Sequence, residues 1–200
     1  MTAKIKLNAA SGGGSFSLQA PSSSSNNRVM TLPDTADGTV LTTTNPKAGN
    51  ILQVLQSTFT AATSTSSTSL VDTGLSVSIT PSSTSNKVLI MYGLYMSVNS
   101  DEYSGRTSIV RESTEIFIGD AISSSRRATA FMWPNSGRDP HFVGHQFLDS
   151  PSTTSATTYK IQYGSNYSSQ TVYIGRSTVG VAGTAHATTP ASLIVMEVAG

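Results

Sequence analysis

Two histidines, His141 and His145, come nearest in this sequence to the type and spacing of a metal site. Imidazole nitrogens bind transition metals readily. In an extended strand the two side chains would point to one face but lie roughly 13 Å apart, so one ion needs a bend at Gly144. In a symmetric oligomer, one histidine could instead meet its copies on the axis. Exposed or hydrogen-bonded histidines are the favoured interpretation, and we expect no metal and no cofactor.

Acidic residues are too few and too scattered to predict catalysis. Glycan hydrolysis needs two carboxyl groups that flank the scissile bond. The chain has eleven acidic residues, and the close pairs are Asp101 with Glu102 and Glu112 with Glu115. Both pairs fall in apparent turns or strand edges. No G-x-S-x-G pattern surrounds any serine. We therefore expect no catalytic residues and a protein that is not an enzyme.

The segment from Trp133 to His141 is the strongest candidate for a binding loop. A lone tryptophan that enters a polar loop framed by proline and glycine could stack on a sugar ring. The alternative is that Trp133 closes one end of the domain and the loop only turns the chain. The receptor-contact candidates are Trp133, Asn135, Arg138 and His141. Fainter candidates are Tyr163, Tyr167, and Tyr103 together with Arg106.

Hydroxyl side chains dominate the composition. Serine and threonine make up 61 of the 200 residues, whereas charged residues make up 12%. Threonine suits strands and serine suits turns, so this composition favours β structure. Disorder is the alternative, but it normally comes with high charge and few aromatic or β-branched residues.

Charge and hydropathy exclude several classes of partner. The net charge is +1, and Arg126-Arg127 is the only adjacent basic pair, so no nucleic-acid partner is expected. No run of 18 apolar residues predicts a membrane span. The N-terminus has no apolar stretch typical of a secretory signal, and the absence of cysteine excludes disulfides. Synthesis in a cytoplasm, without export, is the simplest interpretation.

Two long stretches alternate like strands. Val71, Leu75, Val77 and Ile79 fall at odd positions between polar residues, which predicts a half-buried strand. The run 88–98 alternates too, but its interleaved positions are also apolar, which predicts a central strand covered on both faces. We expect these two strands to pair through the turn at residues 81–86.

Shorter strand patterns follow at regular spacing, with turn residues between them. They lie at 51–55, 107–111, 115–118, 128–132, 142–148, 159–163, 171–174 and 192–198. This pattern predicts an all-β domain over residues 50–200, folded as an antiparallel, jelly-roll-like β-sandwich. The nearly continuous apolar run 193–198 predicts a last strand buried within a sheet, beside the first strand of the domain.

Residues 1–49 form a second region, poor in apolar residues. Lys4–Leu7 could be a very short strand, followed by the flexible-looking 11–14, and Asp37-Gly38 predicts the turn of a tiny hairpin. So few apolar side chains cannot offset the entropy of ordering. We expect an extended or hairpin segment that attaches the chain to partners.

Residues 28–43, RVMTLPDTADGTVLTT, carry a recognisable pattern. The stretch from Arg28 to Thr42 resembles the LTLPDxDGTVLT segment of tail-fibre and other structural proteins of tailed phages. The stretches that begin ILQVLQSTFT, SPSTTSATTY and ASLIVMEVA are similar to the C-terminal module of virion proteins from marine and cyanobacterial phages.

The resemblance implies a non-enzymatic structural protein of the virion, commonly a homotrimer with a jelly-roll-like head. It would be a fibre or decoration subunit that attaches to other virion proteins of tail or capsid through its N-terminal segment. Two alternatives stay open: a receptor-binding tip that recognises a host surface glycan through loops 99–106 and 133–141, and a capsid cement protein.

Overall fold

The computed structural model describes residues 4–8, 11–19, 22–23, 25, 46–133, 139–178 and 187–200. The chain divides into two compact units, Met1–Val40 and Leu41–Gly200, while the predicted boundary after residue 49 stays a prediction. Within the described ranges there are thirteen strands and no helix. Over those same ranges, nothing helical is therefore long and apolar enough to cross a bilayer.

The strands run in chain order as follows. They are β1 (Lys4–Asn8), β2 (Ser15–Gln19), β3 (Ile51–Phe59), β4 (Thr63–Thr65), β5 (Val71–Ile79), β6 (Lys87–Val98), β7 (Gly105–Arg111), β8 (Thr114–Ile116), β9 (Ala130–Met132), β10 (His141–Asp149), β11 (Thr157–Ser165), β12 (Val172–Ile174) and β13 (Ala191–Val198).

The described part of the first unit is an antiparallel hairpin of β1 and β2. Gly12 and Gly13 in the connection have φ of 85° and 70°, which only glycine adopts without strain. The short strand predicted at Lys4–Leu7 is present, whereas its pairing with β2 was not predicted. The hairpin predicted at Asp37-Gly38 lies outside the described residues.

The second unit is a sandwich of two antiparallel sheets. One sheet has six strands in the order β3-β13-β6-β12-β4, with β10 paired along the other side of β6. The other has five strands in the order β5-β11-β7-β8, with β9 beside β7. The prediction of an all-β, antiparallel, jelly-roll-like sandwich is confirmed.

The core lies between the sheets and comes from alternate residues of each strand. In β5, Leu75, Val77 and Ile79 are buried while the residues between them are exposed, because successive side chains point to opposite faces. The largest fully buried apolar side chains of the other strands include Ile90, Leu94, Met96, Tyr159, Ile161 and Leu193.

Strands β5 and β6 do not form the predicted hairpin. β5 pairs with β11 and β6 pairs with β13, β10 and β12, so the two strands belong to different sheets. Residues 80–86 therefore cross from one sheet to the other. Alternation along the chain cannot distinguish a hairpin within one sheet from a crossover between two sheets, because both arrangements bury one face of each strand in the same core.

The predicted position of the last strand is confirmed. β13 lies between β3 and β6, with Val195 opposite Leu55 on one side and Ile90 on the other. Its inward residues, among them Leu193 and Val195, are fully buried.

One face of the six-stranded sheet turns away from the core, and we call it the outer face. Its apolar side chains come from β3, β13, β6 and β10: Val54, Ile194, Met196, Leu89, Met91, Tyr95, Phe142 and Leu148. The same face also carries the polar side chains Gln56, Thr58, Ser192 and Gln146. The prediction that β6 is covered on both faces is therefore wrong for the single chain, because Met91 and Tyr95 are exposed.

Candidate functional site: an aromatic and arginine-lined groove

A groove of about 900 Å³ opens at one end of the five-stranded sheet. It is bounded by the loop of residues 117–129 between β8 and β9, by the end of β9, and by the turn that follows β11. We call it the aromatic–arginine groove. The side chains that define it are Phe131, Trp133, Tyr167, Arg106, Arg126 and Arg127.

Arg106 is the most deeply buried of these side chains, with 6% of its surface exposed. Its Nη1 donates to the carbonyl of Ser165 at 3.1 Å and to Oδ1 of Asn166 at 2.9 Å, and its Nη2 donates to the carbonyl of Thr68 at 2.7 Å. Burial, followed by the nearby charge of Arg126, lowers the pKa of Arg106, and Glu115 opposes that change. Arg106 thus joins β7 to the turn after β11 and to the segment before β5.

The loop 117–129 is attached to β7 through Thr129. The amide of Thr129 donates to the carbonyl of Thr107 at 3.0 Å, and its hydroxyl accepts the amide of Ile109 at 2.9 Å. Within the loop, Nε of Arg127 donates to the carbonyl of Gly119 at 2.6 Å. These bonds hold an irregular loop against a regular strand.

Arg126 reaches back from that loop to the same carbonyl of Thr68 that Arg106 uses, at 3.2 Å from its Nη1. Two guanidinium groups therefore meet at one backbone oxygen. Like charges so close repel each other in a partly dry site, which makes the region favourable for an anion.

Two of the aromatic rings of the groove lie on or directly after the short strand β9. Phe131 and Trp133 are two residues apart at β9, so they point to one side while Met132 between them is buried. They are 67% and 60% exposed. Tyr167 lies against Tyr103, with ring centroids 4.1 Å apart.

Phe117 closes the groove toward β10. Its ring stacks on Phe147 at 4.5 Å and meets the His145 ring edge-on at 4.8 Å. It has φ of 52°, a conformation that is costly for a bulky side chain. The contacts with two rings of β10 offset that cost.

The structure brings part of the predicted binding loop to this groove. Trp133 lines it, whereas His141 is a half-buried residue at the start of β10 and is not among the lining side chains. Asn135 and Arg138 lie outside the described residues.

The fainter candidates divide in the same way. Tyr167 and Arg106 line the groove, and Tyr103 supports Tyr167 from the side. Tyr163 is a core residue whose hydroxyl lies 3.2 Å from that of Thr63. Burial raises the pKa of Tyr163, with the Thr63 hydrogen bond opposing it.

Sequence reasoning missed Arg126, Arg127, Phe131 and Phe117. The arginine pair was visible in the sequence, but it was considered only as a sign of nucleic-acid binding. The spacing of Phe131 and Trp133 was also visible, and in a strand it predicts two rings on one face. Nothing in the sequence indicated that the 117–129 loop folds beside them.

Among the described residues, His145, Glu115 and Glu112 contact or hydrogen-bond neighbouring parts of the fold. His145 contacts Phe117, and Glu115 accepts the hydroxyl of Ser108 at 2.8 Å. Glu112 accepts the backbone amide of Thr158. Over the described ranges, no group of three histidine or acidic side chains is placed to hold a metal ion.

Comparison with known proteins identifies no family: no family model matches the chain, and no curated protein matches it.

Proposed function

We propose that this chain is a non-enzymatic structural subunit of a tailed-phage particle, a fibre or decoration protein that self-associates as a homotrimer. The outer face of the six-stranded sheet provides the contact between subunits. The N-terminal segment provides the attachment to other virion proteins of tail or capsid.

The observation that carries this proposal is the composition of the outer face. An antiparallel sheet with one face in water normally alternates apolar inward and polar outward residues. Here the outward row Leu148, Leu89, Met196 and Val54 runs across four neighbouring strands. A contiguous apolar surface of this kind marks an interaction site.

Two further rows add apolar side chains to this face. Met91 lies opposite Ile194, with Gln146 and Gln56 at the two ends of that row. In the other row, Tyr95 meets Phe142 edge-on with ring centroids 5.7 Å apart. The Phe142 ring lies over Gly93, where an added Cβ would sit 2.9 Å from it. The ring is nevertheless 65% exposed, so a partner has apolar surface to bury.

The resemblance of residues 28–43 and of the C-terminal stretches to phage virion proteins supports the assignment to a particle. The apolar side chains of the outer face favour a partner but do not fix how many subunits meet. The number three comes from the resemblance alone.

Two alternatives have different support. A capsid cement protein would use the same outer face and differ only in its place on the particle. A receptor-binding tip that recognises a host glycan is favoured by the aromatic–arginine groove, and it is compatible with the fibre role.

The test is incorporation into particles. Phage that carry Met91→Glu in this gene should yield purified particles without the subunit, because a charge on the outer face prevents the self-association on which attachment through the N-terminal segments depends. Phage with Ser76→Glu, which adds the same charge on the exposed side of β5, should incorporate it normally. Immunoblots of purified particles report both results, and imaging of the wild-type particle assigns the density to head or tail.

A wild-type particle without this chain would contradict the structural role. Equal incorporation of both variants would contradict the outer face as the contact.

A further inference from the structure

We infer that the aromatic–arginine groove is a binding site for an acidic saccharide, in which a sugar ring stacks on Trp133 and a sugar carboxylate pairs with Arg126 and Arg127. This inference deepens the receptor-binding alternative and does not depend on trimer formation or on the outer face.

The size of the groove suits a ligand of a few sugar rings. Its volume of about 900 Å³ falls within the range of roughly 300–1,000 Å³ that is ordinary for small-ligand sites. The lining combines aromatic rings with a few polar groups, which is the composition such sites use to bind and orient a ligand.

The exposed aromatic rings of the groove suit a sugar ligand. Trp133 and Phe131 leave most of their surface in water, which is unfavourable unless something covers them. A pyranose offers a flat face of C–H groups with hydroxyls at its edge, so it can cover a ring and still be hydrated. The indole N–H of Trp133 is a donor that such a hydroxyl can accept.

The arginines of the groove favour a ligand that carries negative charge. Arg126, Arg127 and Arg106 line the groove, and Asp120 is the only acidic side chain among the described residues that do. Three positive charges and one negative charge leave an excess of two, compared with +1 for the whole chain. The positive charge is thus concentrated here.

The geometry of the arginines favours a carboxylate. Arg127 uses Nε on the carbonyl of Gly119, and Arg126 uses Nη1 on that of Thr68. Within the described residues, their other guanidinium nitrogens make no hydrogen bond. A guanidinium fixed at one nitrogen and free at the others is prepared to form charge-assisted pairs with a planar carboxylate.

Two other ligand classes fit less well. A nucleic acid needs a basic track along its backbone, but beyond the three arginines of the groove the basic residues of the chain are scattered, and no lysine is among the described residues that line it. An acidic peptide that adds to a sheet needs an open strand edge, whereas this groove is bounded largely by the 117–129 loop.

The experiment uses the full chain on an array of acidic and neutral glycans, followed by calorimetry with tri-galacturonic acid and its neutral galactose counterpart. Binding should be confined to carboxylated glycans and should weaken as salt is raised. Arg126→Gln with Arg127→Gln should reduce the affinity by about tenfold or more. Trp133→Ala should reduce it as well.

The matched control is Lys87→Gln, which removes one positive charge at the exposed start of β6 and should leave the affinity unchanged. Circular dichroism checks that each variant stays folded. Binding of neutral glycans with equal affinity, or of no acidic glycan at all, would overturn the inference. Binding of dodecathymidine or of a poly-glutamate peptide more tightly than tri-galacturonic acid, weakened by the same arginine and tryptophan variants, would also overturn it. Loss of the trimer without loss of glycan binding would separate this site from the structural role.

Discussion

Glu197 shows how one residue can hold two parts of the sandwich together. It lies in β13 with 1% of its surface exposed, and its carboxylate accepts hydrogen bonds from the turn after β5 and from β3. The amide of Ser82 donates at 2.6 Å, the amide group of Asn86 also donates, and Nε2 of Gln53 donates at 2.6 Å. A buried carboxylate is tolerated because these donors replace water.

The same carboxylate predicts a pH dependence of stability. Burial would raise the pKa of Glu197, but the hydrogen bonds from Asn86, Ser82 and Gln53 outweigh it and lower the pKa below its ordinary value of 4.5. A lowered pKa in the folded state means that the group stabilises the fold above pH 4.5. That stabilisation is lost as the pH falls through the folded-state pKa.

We therefore expect Glu197→Gln to lower the free energy of unfolding by about 2 kcal/mol at neutral pH, because charged hydrogen bonds are lost. The difference from wild type should shrink as the pH falls below about 4.5. Denaturant titrations between pH 3 and 7 measure it. Glu102→Gln, an exposed change of the same charge, should show no such trend. A difference that stays constant with pH would refute the role of Glu197.

At the scale of the element, alternation specifies which face of a strand is buried. In β5, Val77 is buried in the core and Ser76 beside it is exposed. Two adjacent positions in one strand thus experience opposite environments.

Val77→Asp should destabilise the protein by about 4 kcal/mol, because it buries an unpaired charge between the sheets. Ser76→Asp should change the stability by less than about 1 kcal/mol. Urea denaturation followed by circular dichroism measures both. Similar losses for the two variants would mean that the buried face of β5 has been assigned wrongly.

Most strands were predictable, but not how they pair. The alternation at 71–79 and 88–98 located β5 and β6, and the apolar run 193–198 located β13. The prediction that β5 pairs with β6 was wrong, because a hairpin and a crossover between two sheets have the same hydrophobic pattern. β4 was missed, since its three residues, Thr63–Thr65, carry no apolar period.

The candidate site was predictable only in part. Trp133 was found because its type is unusual in a polar loop. Its neighbours in the groove come from separate places along the chain: Arg106 from β7, Arg126 from the loop and Tyr167 from the turn after β11. Such a constellation depends on tertiary packing, which no local pattern in the sequence encodes.

At the scale of the whole molecule, the two sheets differ in the side chains that they turn outward. The outward side of β5 presents aspartate, glycine and serine residues to water, whereas the outer face of the six-stranded sheet also presents leucine, methionine and aromatic residues among its polar side chains. Burying that face between subunits would give a chain without cysteine additional stability through association.

Light scattering coupled to size exclusion tests the claim that the outer face mediates self-association most directly. The wild-type protein should have a mass of about three times the 20.9 kDa chain, and Ser76→Glu should match it. Met91→Glu should elute as a folded monomer, because a charge in the centre of the outer face prevents association. A wild-type protein that is a stable monomer at micromolar concentration, or a Met91→Glu variant that stays trimeric, would contradict the account.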